Sequence, residues 1–96
     1  MYVMVMVLEC RLPYVHSLKG KRVIRTRLVE RLKRDFQVSA SEVATQDRHQ
    51  ELTVGMSAVS SDATYLRNLP DKIRNAAEGV LEGFVVQSSW DVVPWP

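Results

Sequence analysis

Residues 2–12 form an unbroken run rich in Val and Met, and this run constrains the possible folds more than any other feature. Its first half is apolar at both odd and even positions, so we expect both faces of a strand here to be covered. Residues 8–12 then alternate between apolar and polar side chains, which is the period of a half-buried strand. Pro13 ends the pattern. The run therefore predicts a central β-strand.

A helix is predicted directly after this strand. Ser17 is a favourable N-cap because its hydroxyl can accept a hydrogen bond from a free amide of the first turn. The helix is expected to run to about Asp35. One apolar stripe recurs at helical spacing and consists of Leu18, Ile24, Leu28, Leu32 and Phe36.

Two strands are predicted in the middle of the chain, at residues 37–46 and 50–60. In the second of these, alternate positions from Leu52 to Ala58 are apolar and share one face. The polar link at 47–49 is short, so we expect the two strands to form a hairpin.

Asp62 is expected to cap a second helix over residues 63–78, and Pro70 predicts a kink or break inside it. Residues 84–93 predict the last strand. The order strand–helix–strand–strand–helix–strand predicts a single α+β domain over residues 1–96. We expect the ferredoxin-like βαββαβ arrangement, a four-stranded antiparallel sheet with both helices on one face.

The basic residues are concentrated in the first helix. Residues 16–36 contain eight basic and two acidic side chains, a net +6, whereas the rest of the chain has five basic and nine acidic, a net −4. Helix starts attract anions, and cationic side chains bind phosphates. The predicted phosphate- or RNA-binding set is Ser17, Lys19, Lys21 and Arg22 at the helix start, with Arg27, Arg31 and Arg34 along its outer side. The alternative is a basic face that only solvates the helix.

Two charged residues occupy positions that the pattern makes apolar. Arg25 projects within the helical stripe, and it could pack its stem while its head reaches water. It could instead form a partly buried ion pair with a carboxylate on the sheet beneath. Glu42 is in phase with Val38 and Ala40, so it points inward unless a bulge shifts the register. We favour an ion pair under the first helix between Glu42 and Arg25, with Lys21 as another possible partner.

The helices can cover only one face of the sheet, so Val3, Val5 and Val7 are expected to form an exposed apolar strip. Such strips usually mark interfaces, which predicts a homo-oligomer. The central strands lack the aromatic side chains on which RNA-recognition motifs stack bases. Two functions therefore remain open. One is a non-enzymatic RNA- or ribosome-associated module that uses the basic helix. The other is a homo-oligomeric interaction protein that binds a protein or a small apolar ligand through the open sheet face.

The sequence gives less support to metal binding, catalysis or insertion in a membrane. Cys10 is the sole cysteine and is expected to be a buried, inert thiol, and two separated histidines do not suggest a metal or cofactor site. Asp47 and His49 could act as an acid–base pair, but no nucleophile is evident, so we expect no enzyme. No apolar run reaches the length of a membrane helix and no signal-peptide layout is seen, which predicts a cytoplasmic protein. Trp90 and Trp95 could pack the core edge or contact a partner.

Several stretches resemble the small bacterial family of unknown function typified by YlxP. They are Leu12-Pro13, 17–22, Arg31-Leu32, 38–43, Gln46-Asp47 and 59–62, and the resemblance covers about residues 3–76. The chain departs from the family pattern at Gly20, Arg25, His49 and Pro70. The resemblance implies a ferredoxin-like fold and no established activity. The genes of that family often neighbour those of translation factors, which by association alone implies an RNA or ribosome context.

Overall fold

The computed structural model describes residues 1–96 and contains six elements. They are β1 (Tyr2–Arg11), α1 (Leu18–Phe36), β2 (Ser39–Glu42), β3 (Glu51–Ser60), α2 (Ala63–Val80) and β4 (Phe84–Pro94). This is the predicted βαββαβ order. Neither helix has the length and apolarity that crossing a bilayer would require.

The four strands form one antiparallel sheet in the order β2-β3-β1-β4, so β1 and β3 are the central strands. All ten residues of β1 pair with β3, from Tyr2 opposite Ser60 to Arg11 opposite Glu51. Both helices pack on the same face of this sheet, which confirms the ferredoxin-like fold. The other face of the sheet is left without a covering layer.

The core lies between the sheet and the two helices. Alternate residues of the central strands point toward the helices, from Met4 to Cys10 in β1 and from Leu52 to Met56 in β3, and they are buried. The helices contribute Ile24, Leu28 and Leu32 from α1 and Leu66, Leu69, Ile73 and Ala77 from α2. Each fully buried Leu or Ile contributes about 1.5–3 kcal/mol, so this layer accounts for the stability of the fold.

The second strand is shorter than predicted. The expected strand over residues 37–46 is reduced to Ser39–Glu42. Gln37 adopts a left-handed conformation (φ 53°) and its N–H bonds to the Lys33 carbonyl, so it ends α1 and cannot begin a strand. Residues 43–50 connect β2 to β3, in place of the short link predicted at 47–49, because backbone carbonyls of this connection turn toward a buried lysine.

The break predicted at Pro70 is wrong, since α2 is continuous from Ala63 to Val80. Pro70 has no N–H to donate to the Leu66 carbonyl, which weakens one turn of the helix. Pro70 is itself buried, and so are Leu66, Leu69 and Ile73 on the same side of the helix. Burial of this side holds the helix together across the proline.

Candidate nucleic-acid interface and open sheet face

The start of α1 is capped as predicted. The Ser17 hydroxyl oxygen accepts a hydrogen bond from the Gly20 N–H at 3.0 Å. This bond uses one of the free amides that a helix start could offer an anion. Lys19 and Arg22 are exposed near this cap. The helix start therefore offers cationic side chains, but it offers fewer amide donors than the sequence suggested.

Lys21 is not part of a surface phosphate site, and the prediction that placed it there is wrong. Its side chain is 2% exposed and it lies beneath α1. Its ammonium donates hydrogen bonds to the Glu42 carboxylate (2.7 Å), to the carbonyls of Thr45 and Arg48 (2.5 Å each) and to the Glu51 carbonyl (3.3 Å). All of its donors are used inside the protein.

The position of Lys21 could have been found from helical spacing. Lys21 precedes Ile24 by three residues, Leu28 by seven and Leu32 by eleven, which places all four on one side of the helix. The predicted stripe instead began at Leu18, which is 44% exposed in the structure. A count of charges without their angular positions places Lys21 among the surface cations, whereas the second prediction for Lys21, as a partner of Glu42, is confirmed.

Glu42 points inward without a bulge in β2, which confirms the ion pair under α1. Its carboxylate is 3% exposed and lies 3.3 Å from the Arg25 guanidinium, in addition to its bond with Lys21. The Arg25 side chain is 32% exposed, so its pair with Glu42 is partly buried. Burial alone would raise the pKa of Glu42, but hydrogen bonds from Lys21, the Thr45 hydroxyl and Arg25 outweigh that effect and lower the pKa below 4.5.

The connection over residues 43–50 is tied to this buried network at several points. The Thr45 hydroxyl donates to the Glu42 carboxylate at 2.8 Å and accepts from the Thr53 N–H at 2.9 Å. Asp47 and His49 lie exposed in the connection. No three His, Cys, Asp or Glu side chains come together as a metal-binding group. One ammonium and one carboxylate hold this loop in place.

Three predicted RNA-binding arginines are engaged in surface ion pairs. Arg27 lies 3.4 Å from the Glu82 carboxylate, and both Arg31 and Arg34 contact Asp35. Hydrogen bonds from Arg34 and Arg31 lower the pKa of Asp35, so this carboxylate is ionised at neutral pH. These arginines line the groove between α1 and the end of α2, where acidic neighbours offset their charge.

A second row of cations on α1 forms no ion pair, although the exposed Glu30 lies on the same side of the helix, three residues before Lys33. It consists of Lys19, Arg22 and Lys33, which are exposed and form no ion pair within the protein. At 100° per residue these three side chains fall within about 60° of one another, on a side of the helix that faces away from the core. We call this row the unpaired stripe.

The sheet face opposite the helices carries the predicted valine strip. Val3, Val5 and Val7 all point to this side, and Val5 is 48% exposed. Further valines join them, namely Val59 of β3, Val93 of β4 and Val43 in the connection directly after β2. A shallow depression of ≈ 400 Å³ lies at the centre, lined by Val5, Val7, Val43 and Gly55 together with residues 89–91 of β4. We call this surface the open face.

Cys10 is buried at 2% exposure, as predicted, and burial raises the pKa of its thiol to about 11. A protonated, inaccessible thiol is a poor nucleophile.

The two tryptophans of the last segment are not packed into the core. Trp90 is 45% exposed and Trp95 is 61% exposed, and neither belongs to the hydrophobic core, so contact with a partner stays a prediction.

Comparisons with solved structures support the fold. The chain matches the de novo designed protein Foldit4 over 100% of both chains, with a TM-score of 0.57 and 15% identity. It also matches the de novo designed protein LFR1 1, described as having a ferredoxin fold, over 97% of this chain and 83% of that one, with a TM-score of 0.53 and 12% identity. These likenesses concern the fold alone.

Sequence comparisons identify the family to which the chain belongs. A 53-residue segment is 42% identical to the uncharacterized protein YlxP of Bacillus subtilis (strain 168), and this segment is 55% of the present chain. The match spans 58% of that curated relative. A family model described as "Protein of unknown function (DUF503)" matches residues 3–89, which is most of the chain. The protein therefore belongs to the DUF503 family, whose function is unknown.

Proposed function

We propose that this protein is a non-enzymatic, RNA- or ribosome-associated binding module that contacts phosphates through α1. The observation that carries the proposal is the unpaired stripe, in which Lys19, Arg22 and Lys33 share one exposed side of a rigid helix. Neutralising phosphates with such cations releases counterions, and this release supplies much of the affinity for nucleic acids.

The spacing of the stripe suits an extended polyanion better than a single small anion. Lys19 and Lys33 are fourteen residues apart, about 21 Å at 1.5 Å per residue along a helix. Arg22 lies between them, one turn from Lys19. A ligand that engages all three cations must carry several negative charges along its length, as a nucleic-acid backbone does.

The proposed mode of recognition is through charge and shape. No row of aromatic side chains is available on the central strands, where Val5, Val7, Thr53 and Gly55 occupy the open face. Phosphate contacts position a protein on a nucleic acid but carry no direct sequence information. Binding should therefore tolerate changes in RNA sequence. A cytoplasmic location is part of the proposal.

The paired arginines are expected to contribute less. Surface ion pairs contribute only about 0–1 kcal/mol, so Arg27, Arg31 and Arg34 could exchange their carboxylates for phosphates. Each exchange would leave Asp35 or Glu82 facing the polyanion, which opposes binding. The structure thus separates two sets of three cations that have equal formal charge and different acidic surroundings.

The test compares these two sets. One variant carries Lys19→Gln, Arg22→Gln and Lys33→Gln, and the matched control carries Arg27→Gln, Arg31→Gln and Arg34→Gln. Both lose three positive charges. Binding to a fluorescent single-stranded RNA is measured over a range of salt concentrations. Loss of three phosphate contacts should flatten the dependence of log K on log salt by about 2, at about 0.7 per contact.

We expect the stripe variant to lose most of its RNA affinity at low salt and the control to keep most of it. Equal losses in both variants would show that net charge matters and that the stripe does not. Unchanged binding in the stripe variant would refute the proposal. Circular dichroism of both variants establishes that they remain folded, since all six positions lie outside the core.

A further inference from the structure

The open face is the largest feature of the molecule that the proposed RNA-binding role leaves unused. Val5, Val43 and Val59 are each about half or more exposed there, at 48%, 50% and 63%. A β-sheet usually buries at least one face against another layer, and the helices already cover the other face. A contiguous apolar surface of this kind marks an interface.

We propose that the open face binds a second copy of this chain, forming a dimer with the two sheets face to face. The two-fold axis runs parallel to the strands, between β1 and β3, so it exchanges these two strands and also exchanges β2 with β4. Two sheets packed this way give a sandwich with the helices on its outer surfaces. The unpaired stripe then remains exposed on both sides of the dimer.

The area of the face fits a stable dimer. The strands β1, β2, β3 and β4 contain 10, 4, 10 and 11 residues. At about 3.3 Å per residue and about 4.8 Å between strands, they present roughly 550 Å². Two copies would bury roughly 1,100 Å², which is just above the ~1,000 Å² minimum for a specific interface and at the small end of stable dimers. A small apolar ligand in the ≈ 400 Å³ depression would leave most of the valines exposed.

One pair of charges on the face is complementary to a second copy under this axis, although Glu9 and Asp91 are further carboxylates of the face and Glu51 also pairs with Arg48 in its own chain. Arg11 of β1 and Glu51 of β3 are register partners, with their charged groups 4.0 Å apart in one chain. Exchange of β1 with β3 places Arg11 of each copy over Glu51 of the other. The dimer therefore contains two symmetry-related contacts between Arg11 of one copy and Glu51 of the other, and each joins opposite charges. A like-charged pair at this position would oppose association.

The centre of the face is apolar in the same register. Val7 of β1 is paired with Gly55 of β3, so the axis places Val7 of one copy over Gly55 of the other. Gly55 has no side chain of its own, and the Val43 side chain packs over it, so Val7 of one copy would meet the Val43 methyl groups of the other. Val3 and Val59 are also register partners, and they meet as an apolar pair toward the opposite end.

The experiment measures the mass of the protein in solution. It uses two charge variants that should each fail to form a homodimer but should pair with one another. Wild-type protein should sediment as a dimer at micromolar concentrations. Arg11→Glu and Glu51→Arg should each be monomeric, because each homodimer brings like charges together. An equimolar mixture of the two variants should form a heterodimer, since opposite charges then face each other at both of these contacts. Val7→Asp should be monomeric, because it buries a carboxylate in the apolar centre.

Two results would overturn the proposal. A wild-type protein that is monomeric throughout the micromolar range would leave the open face to a different protein or to an apolar ligand. A dimer that persists in both charge variants, without preference for the mixed pair, would show that another surface forms the contact. The mixing experiment needs no core substitution, so loss of folding in Val7→Asp would not obscure the outcome. RNA affinity is measured separately, which keeps this test independent of the proposed RNA-binding role.

Discussion

Lys21 connects three parts of the fold through one ammonium group. It projects from the first turns of α1, contacts Glu42 at the end of β2, and bonds to carbonyls of Thr45 and Arg48 in the connection that follows. A buried ion pair is not by itself a source of stability, because desolvation of both charges opposes their attraction. Its more specific effect is to fix the position of a loop that has no regular secondary structure.

Removal of the Lys21 charge should be strongly destabilising. Lys21→Met leaves Glu42 buried with one fewer cation and leaves three carbonyls without their donor. Breaking a buried pair from one side costs about 3–5 kcal/mol, and we expect about 3 kcal/mol because Arg25 remains. Urea unfolding measures the loss. Lys19→Met, an exposed position two residues away, should change stability by less than about 0.5 kcal/mol, and an equal effect of both substitutions would contradict this role.

The free energy of unfolding should also depend on pH through the ionisation of Glu42. Its pKa in the folded protein is lowered, so the unfolded chain binds the proton more tightly. The contribution of the ionised carboxylate is therefore complete above its usual pKa near 4.5 and is lost as pH falls through the lower folded value. The stability difference between the wild type and Glu42→Gln should be largest at neutral pH and shrink below about pH 4. A difference that stays constant from about pH 7 to about pH 3 would rule out this effect.

At the scale of elements, sequence patterns predicted the order and type of the helices and strands better than their lengths. The six elements, the caps at Ser17 and Asp62 and the inward direction of Glu42 follow from local chemistry. The short β2 and the continuous α2 do not, because both depend on tertiary contacts. Carbonyls that bond to Lys21 cannot be assigned from their own sequence, and burial of Pro70 is a property of the packed helix.

The contact between the turn before β4 and the end of β1 can be tested with two glycines. A Cβ on Gly83 would clash with the Arg11 carbonyl oxygen, whereas a Cβ on Gly79 in α2 would meet nothing within 4 Å. Gly83→Ala should destabilise the protein by about 1–3 kcal/mol, as overpacking does. Gly79→Ala should be neutral or stabilising by up to about 1 kcal/mol. Thermal unfolding of both variants checks this contrast, and a harmless Gly83→Ala would refute the close approach.

At the scale of the whole molecule, the fold separates two surfaces of different chemistry. The helix layer carries the unpaired stripe, and the opposite side of the sheet carries the apolar open face. Net charge alone did not reveal this division, because the +6 predicted for the first helix includes buried Lys21 and the three arginines paired at the surface. The partners that neutralise these charges come from distant parts of the chain or from the next helical turn, so only the structure identifies the cations that remain free.

The central claim is that the free cations of α1 bind RNA phosphates. The most direct measurement is binding of the purified wild-type protein to a pool of single-stranded RNA at several salt concentrations. Three phosphate contacts predict that log K falls with log salt with a slope of about −2. Absence of binding at low salt, or binding that does not weaken as salt rises, would contradict the claim.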